Sequence, residues 1–306
     1  MNNKSHHHTF AILIMAAIAL MLGACATTSA GTQTAQTAEN PENTNQVGDI
    51  QTAAAVTQFP EIIITANDYT FGVPAQVEAG LVSVTLKNEG QEPHHVQLAR
   101  LNDGVDIAQF QEALQTGPEA FDLVTWAGGP ATVDPGASQT VTVDLTTGTY
   151  LLLCFVPDHE GTPHMALGQL ASMEVVEPAE PRANVSQPKA GKVVKMLDFS
   201  YVLPAEVNAG SQVWEIVNEG DQPHEINLIK LANGKTMDDV AAFMHAPQGA
   251  PPFSNAGGLQ GIDPGESGWL YLDLTAGTYV ALCHIPDPAS GHTHEELGMV
   301  IPFSVK

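Results

Sequence analysis

Short runs of alternating apolar and polar residues recur along the chain from about residue 60 onward. "LVSVTLKN" (81–88) alternates Val and Leu with Ser, Thr and Lys, and "TVTVDL" (140–145) and "GWLYLDL" (268–274) follow the same rule. A period of two is typical of a strand with one buried face. Gly and Pro turns separate the runs, and short strands between such turns predict a β-sandwich or a barrel.

Two stretches depart from this period and predict short helices. In "DIAQFQEALQ" (106–115) the apolar residues lie three and four positions apart, and Asp106 precedes them as an N-cap. "TMDDVAAFMH" (236–245) begins with Thr236 and Asp239 at the spacing of a capping box.

The chain contains two copies of one pattern. "VPAQVEAG" (73–80) returns as "LPAEVNAG" (203–210), and "NEGQEPHHVQLARLNDG" (88–104) returns as "NEGDQPHEINLIKLANG" (218–234). Both matches are 130 residues apart, and a constant offset indicates a duplicated domain.

The stretch between the copies is rich in Pro and polar residues, which is typical of a linker. We therefore predict an all-β protein with two tandem β-sandwiches, each with a short helical insertion. The predicted boundaries are 59–176 for the first domain, 177–191 for the linker and 192–306 for the second domain.

The N-terminus has the features of an export signal. Lys4 precedes the apolar run 10–22, and "LGAC" (22–25) resembles a bacterial lipobox, in which the cysteine is lipidated. An uncleaved anchor is the alternative, although the apolar run is short for a membrane span. We predict a signal peptide at 1–24, a flexible tether at 25–58, and attachment to the bacterial membrane through Cys25, in the periplasm or at the cell surface.

The charge of the chain argues against one class of partner. Only 14% of the residues are charged and the net charge is −24. Nucleic acid binding needs clustered Lys and Arg, so we expect no nucleic acid partner.

Residue types that bind metals recur in both copies. Each copy has Asn-Glu-Gly-x-x-Pro-His, then a Cys at the end of an apolar strand, then a His followed five residues later by Gln or Met. Cys154 and Cys283 occupy equivalent interior places in two repeats, so a disulfide between them is geometrically implausible.

This combination resembles the cupredoxin family of blue copper proteins, over nearly all of both predicted domains. The resemblance implies Greek-key β-sandwiches with one type 1 copper ion in each. A soft thiolate and two imidazoles suit both Cu(I) and Cu(II), and a weak axial ligand tunes the potential. Carried over by position, the implied ligands are His94, Cys154, His164 and Gln169 in the first copy and His224, Cys283, His294 and Met299 in the second.

The sequence departs from the family in two places. Nine and ten residues separate Cys from the second His, where the family usually has two to four. His95 and Glu225 follow the first His, where the family often has a small polar residue. Adjacent strand residues point to opposite faces, so His95 is not an expected ligand. His159, closer to Cys154, is kept as a reserve ligand.

The resemblance implies a lipid-anchored extracytoplasmic protein that carries single electrons to a redox partner protein. A Gln axial ligand implies a lower potential in the first site than Met implies in the second. The alternatives are a metal-free surface binding module and a copper storage or delivery protein. We do not expect an enzyme, because catalytic copper in this family uses His-x-His pairs, and the only such pair outside the signal is 292–294.

Overall fold

The alternating runs form strands in the computed structural model, which describes residues 59–180, 185–246 and 248–306. The predicted signal peptide, tether and lipidated Cys25 lie outside the described residues. Strands of the first copy are β1 Glu61–Asn67, β2 Thr70–Gly72, β3 Gln76–Glu78, β4 Gly80–Asn88, β5 Gln97–Leu101, β6 Val124–Trp126, β7 Ser138–Leu145, β8 Gly148–Leu153 and β9 Leu170–Val176. Those of the second are β10 Lys192–Leu197, β11 Ser200–Val202, β12 Gly210–Asn218, β13 His224–Leu231, β14 Phe253–Ile262, β15 Ser267–Leu274, β16 Gly277–Leu282 and β17 Val300–Val305.

Both predicted helices are confirmed. Helix α1 (Ile107–Leu114) begins after Asp106, whose side chain accepts from the N–H of Gln109, and helix α2 (Met237–His245) begins after Thr236. Each N-terminus has a capping box, which satisfies backbone donors that the first turn leaves free. Two short 3₁₀ segments also occur in the first copy, at Pro118–Leu123 and His164–Leu167.

Each copy is a sandwich of two sheets, as the sequence predicts. In the first copy, β2, β1, β4 and β7 pack against a sheet of order β3-β9-β8-β5-β6. In the second, β11, β10, β12 and β15 pack against the order β14-β13-β16-β17. Within β1, Ile62 and Ile64 are buried while Ile63 between them is 44% exposed, which is the alternation that a one-sided strand requires.

The two sandwiches share one continuous sheet, which the sequence did not predict. Strands β7 and β15 pair antiparallel, and this joins two four-stranded layers into a sheet of eight strands. The buried apolar core accordingly extends through both copies. The predicted linker falls between β9 and β10, and the predicted domain boundaries stay a prediction, because the described residues from Phe59 onward form one compact unit.

No helix among the described residues has both the length and the apolar character that crossing a membrane requires.

Candidate metal centres

A buried asparagine builds the loop that delivers the first histidine. The Asn88 side-chain amide donates to the carbonyl of Glu92 at 2.7 Å, and its oxygen accepts from the N–H of Gly90 at 2.9 Å. Asn218 makes the equivalent bonds in the second copy. The Asn-Glu-Gly-x-x-Pro-His motif is therefore a side-chain-closed turn, whose last residue enters the interior.

A carboxylate contacts Nε2 of that histidine, which we call the outer nitrogen because it faces away from the cysteine. Oδ1 of Asp68 lies 2.7 Å from Nε2 of His94, and Oδ1 of Asp198 lies 2.9 Å from Nε2 of His224. Burial raises the pKa of Asp68, but hydrogen bonds from the N–H of Gln91 and from His94 outweigh it, and the pKa lies below the ordinary value. The ionised carboxylate only accepts, so Nε2 carries the hydrogen and Nδ1 keeps a free lone pair.

The cysteines follow the last residues of β8 and β16 and are completely buried. Burial raises the pKa of the Cys154 thiol to about 12 and that of Cys283 well above its usual value. Neither is in a disulfide. A thiol in such surroundings is protonated at neutral pH unless a cation displaces the proton.

The long Cys-to-His segment of the first copy folds into a small spur. Pro157 and Pro163 form an isolated antiparallel bridge, and the Asp158 side chain accepts from backbone N–H groups inside the spur. The N–H of Met165 then donates to the carbonyl of Cys154 at 2.8 Å. The extra residues are thus accommodated beside the site, and His164 still returns to the cysteine.

The Cys-to-His segment of the second copy folds into an equivalent spur. Pro286 and Thr293 form the bridge, Asp287 accepts from Ser290, and the N–H of Glu295 donates to the carbonyl of Cys283 at 2.9 Å. In both copies, therefore, the additional residues between Cys and His do not move the His away from the Cys.

In the first copy the three predicted residues meet. Nδ1 of His94 and Nδ1 of His164 lie 3.1 Å apart, and Sγ of Cys154 lies 4.0 Å from the former and 3.6 Å from the latter. All three side chains are buried. Nε2 of His164 points away and contacts Oε2 of Glu92 at 2.9 Å.

The second copy repeats this geometry. Nδ1 of His224 and Nδ1 of His294 lie 3.0 Å apart, and Sγ of Cys283 lies 3.4 Å from Nδ1 of His294. Burial lowers the pKa of His224, and burial, then the neighbouring His224, lowers that of His294 to about 4. Both imidazoles are therefore neutral near pH 7.

With the hydrogen of each ring on Nε2, where the outer partners accept it, two Nδ1 lone pairs face each other at these distances, which is unfavourable without a cation between them. Ligand atoms about 2.0–2.3 Å from one ion, at trigonal or tetrahedral angles, lie about 3.3–3.7 Å apart. The separations in both copies are close to this range, and two imidazoles with one thiol are a donor set that suits copper. The residues fit the ion that the family resemblance implies.

The predicted axial residues also lie inside. Gln169 and Met299 are fully buried, and each donates its backbone N–H to the carbonyl of the preceding His of its copy. The side-chain nitrogen of Gln169 donates to the carbonyl of Asn67 at 3.2 Å, while its Oε1 has no hydrogen-bond partner among the described residues. An orphaned buried oxygen is costly and fits a role as a weak ligand.

Other histidines lie outside the clusters. His95 is buried, but its Nε2 accepts from the N–H of Phe155 at 2.7 Å, as expected for a residue on the opposite face. His159 lies on the spur with its side chain 81% exposed, so the reserve assignment is wrong: the spur carries it into solvent. His292 is also exposed and pairs with Glu296.

Sequence reasoning missed the residues that hold the outer nitrogens. These are Asp68, Glu92, Asp198 and Gln222. A signal was available, because Asp68 and Asp198 are 130 residues apart, the same offset as the histidines they contact.

Comparison with known proteins finds only distant likenesses. No family model and no curated protein matches the chain. Auracyanin from Roseiflexus castenholzii is 24% identical over 38% of this chain and 96% of its own, with a TM-score of 0.26. Auracyanin A, a "blue" copper protein from Chloroflexus aurantiacus, is 20% identical over 39% and 98%, also with a TM-score of 0.26. A copper nitrite reductase from Nitrosomonas europaea is 14% identical over 81% and 94%, with a TM-score of 0.24.

At these scores the assignment of the site rests on the chain's own geometry. Each half has the sandwich of strands, the side-chain-closed His loop and the Cys at a strand end that the sequence led us to expect. The chain is built of two tandem β-sandwiches, each of which encloses a His–Cys–His cluster whose donor atoms suit copper.

Proposed function

We propose that this protein is a two-centre blue copper protein that carries single electrons outside the cytoplasm. The proposal rests on the duplicated, buried His–Cys–His cluster, in which two imidazole Nδ1 atoms and one thiol converge. Bound there, copper would supply a one-electron Cu(I)/Cu(II) couple. The protein would hold it with His94, Cys154 and His164 in one site and His224, Cys283 and His294 in the other, with Gln169 and Met299 as axial ligands.

The protein's own residues provide what such a couple needs. The buried thiols and imidazoles form a dry set of soft and intermediate donors. Carboxylates on the outer nitrogens fix the ring orientation and the tautomer.

Membrane attachment through a lipidated Cys25, a redox partner protein and a place in the periplasm or at the cell surface are part of this proposal. They rest on the sequence of residues 1–58. Mass spectrometry of the protein from bacterial membranes tests the anchor: a diacylglycerol-modified Cys25 at the N-terminus is expected, and an unmodified chain that begins at Met1 would contradict it.

The central experiment is a visible absorption spectrum after loading with Cu(II), beside Cys154→Ser and Cys283→Ser. We expect an intense Cys-to-copper charge-transfer band, of which each single variant loses one part. A colourless protein that binds no copper would leave the metal-free binding module. Tight but colourless Cu(I) binding would favour storage or delivery.

The same copper-loaded protein can be tested for catalysis. In the described part of the chain only these two His–Cys–His groups of metal-binding side chains occur. Turnover of nitrite or of a phenol by the copper-loaded protein would replace the carrier with an enzyme.

A further inference from the structure

The two centres differ in the group that holds the second histidine from outside. Nε2 of His164 contacts Oε2 of Glu92 at 2.9 Å, whereas Nε2 of His294 contacts Oε1 of Gln222 at 3.2 Å. Glu92 and Gln222 occupy the same place, two residues before the first histidine of each copy. One imidazole therefore donates to a carboxylate and the other to a neutral amide.

A second difference surrounds the same imidazole. The ring of Tyr69 lies 4.7 Å from the ring of His164, and burial, then the charge of Glu92, raises the pKa of the Tyr69 hydroxyl. The counterpart in the second copy is Phe199, whose ring lies 5.3 Å from that of His294 and offers no hydroxyl. The hydroxyl near Glu92 therefore has no equivalent at the Gln222 position of the second copy.

The other outer contacts do not distinguish the copies. The first histidine of each copy is held by an aspartate, Asp68 or Asp198, at 2.7 and 2.9 Å. Among the partners of the outer nitrogens, only the residue at the Glu92 position therefore differs in charge between the two copies.

A carboxylate that accepts from an imidazole N–H makes the opposite nitrogen a stronger donor. A stronger donor, with a negative charge behind it, favours the more positive oxidation state of a bound ion. A neutral amide supports the same ring orientation without that charge.

We propose that Glu92 is a positioning residue that lowers the reduction potential of the first centre through His164, and that Gln222 leaves the second centre without this effect. The proposal rests on the proposed copper function. It is separate from the axial difference between Gln169 and Met299, because it acts through a different ligand.

The second centre has charges of its own on the cysteine side. Glu225 accepts from the N–H of His284, and His284 pairs with Glu295 at 2.8 Å. A comparison between the two centres would mix these charges with the effect of Glu92. The test therefore exchanges the two residues within each centre.

The experiment uses the full chain with one centre active at a time. Glu92→Gln is made in the Cys283→Ser background and Gln222→Glu in the Cys154→Ser background, and each is loaded with Cu(II). The charge-transfer band is followed during a redox titration. We expect Glu92→Gln to raise the potential and Gln222→Glu to lower it. A tenfold change in the oxidised-to-reduced ratio corresponds to about 59 mV for one electron.

Glu89→Gln is the matched control. Glu89 lies in the same loop, is exposed, and loses the same charge without contacting a ligand. Equal shifts for Glu89→Gln and Glu92→Gln, or no shift from Glu92→Gln, would overturn the proposal while copper binding stands. If Glu92→Gln loses copper, the Gln222→Glu variant decides: an unchanged or raised potential overturns the proposal. Absence of a copper band in both single-centre backgrounds would instead overturn the proposed function.

Discussion

Val141 on β7 pairs with Leu270 on β15, which is its own counterpart in the second copy. Pro130 pairs in the same way with its counterpart Leu259. Pairing between equivalent residues is the mark of a two-fold relation, so the two halves meet as the subunits of a symmetric dimer do. The contact also covers strand edges that would otherwise be open to other chains.

The shared sheet predicts that both halves unfold together. We expect one calorimetric transition for the metal-free protein, with equal calorimetric and van't Hoff enthalpies. Leu270→Ala removes a fully buried side chain at the seam and should cost about 2–5 kcal/mol in the free energy of unfolding. Val193→Ala, at a half-exposed site, is the control and should change it by about 0.5 kcal/mol or less. Two separated transitions in the wild type would contradict a shared cooperative unit.

Exchange of the axial residues should move the two potentials in opposite directions. An amide oxygen is a harder donor than a thioether, and the harder donor favours Cu(II). Gln169→Met in the Cys283→Ser background should therefore raise the potential, and Met299→Gln in the Cys154→Ser background should lower it. Redox titration of the visible band measures both. An unchanged potential in Gln169→Met and in Met299→Gln would count against the axial assignment.

Copper loading of the second centre should release about one proton per ion at neutral pH. The Cys283 thiol is protonated before binding because burial raises its pKa, and it is a thiolate afterwards. Burial lowers the pKa values of His224 and His294, so these rings have no proton to lose from Nδ1. The release is measured with a pH indicator in weak buffer, using Cys154→Ser. The variant that lacks both cysteines should release none, and a release near two protons would refute the neutral imidazoles.

Because His95 is buried, we expect the free energy of unfolding of the metal-free protein to fall at acid pH. Burial, and then its neighbour His284, lowers the pKa of His95 to about 3. The unfolded chain takes up a proton below about pH 6.5, whereas the folded protein does not until about pH 3, so stability is full above the first value and falls toward the second. Between about pH 7.5 and pH 5 the loss from this residue is about 2 kcal/mol.

Denaturant unfolding at both pH values, with His95→Gln as the variant, checks this contribution. The glutamine oxygen can still accept from the N–H of Phe155, and the variant should lose about 2 kcal/mol less than the wild type. His159→Gln, at an exposed site, should behave as the wild type does. A pH response of His95→Gln that equals the wild type would refute the buried neutral imidazole.

The glycine of the Asn-Glu-Gly motif should be required for tight metal binding. A Cβ added at Gly90 would lie 2.7 Å from Nε2 of His94 and closer still to Oδ1 of Asp68, so one of them must move. We expect Gly90→Ala to weaken copper affinity by about 10–100-fold, measured by competition with a chelator. Gly191→Ala, whose Cβ would meet nothing nearer than 3.9 Å, is the control. An unchanged affinity would mean that the Asp68 contact does not support His94.

Local signals predicted the elements of this protein well. Asp106 and Thr236 begin their helices as the capping patterns indicate, and the alternation in 81–88 and 140–145 forms strands β4 and β7. These succeed because each depends on side chains only a few residues apart. The internal repeat also identified the His–Cys–His residues. Residues that recur at the shared offset in both copies could be distinguished from residues that occur in only one.

Only the tertiary structure decided how the residues are supported and joined. Nothing in the spacing of Cys154 and His164 showed that the intervening residues would form a spur, which depends on Asp158 and on the Pro157–Pro163 bridge. The partners of the outer nitrogens and the pairing of Val141 with Leu270 join residues far apart in the chain. The sequence by itself determined the strands, the helices, the duplication and the metal-binding residue types, because these are local or repeated patterns. The long-range contacts that set their chemistry depend on the packing of the whole chain.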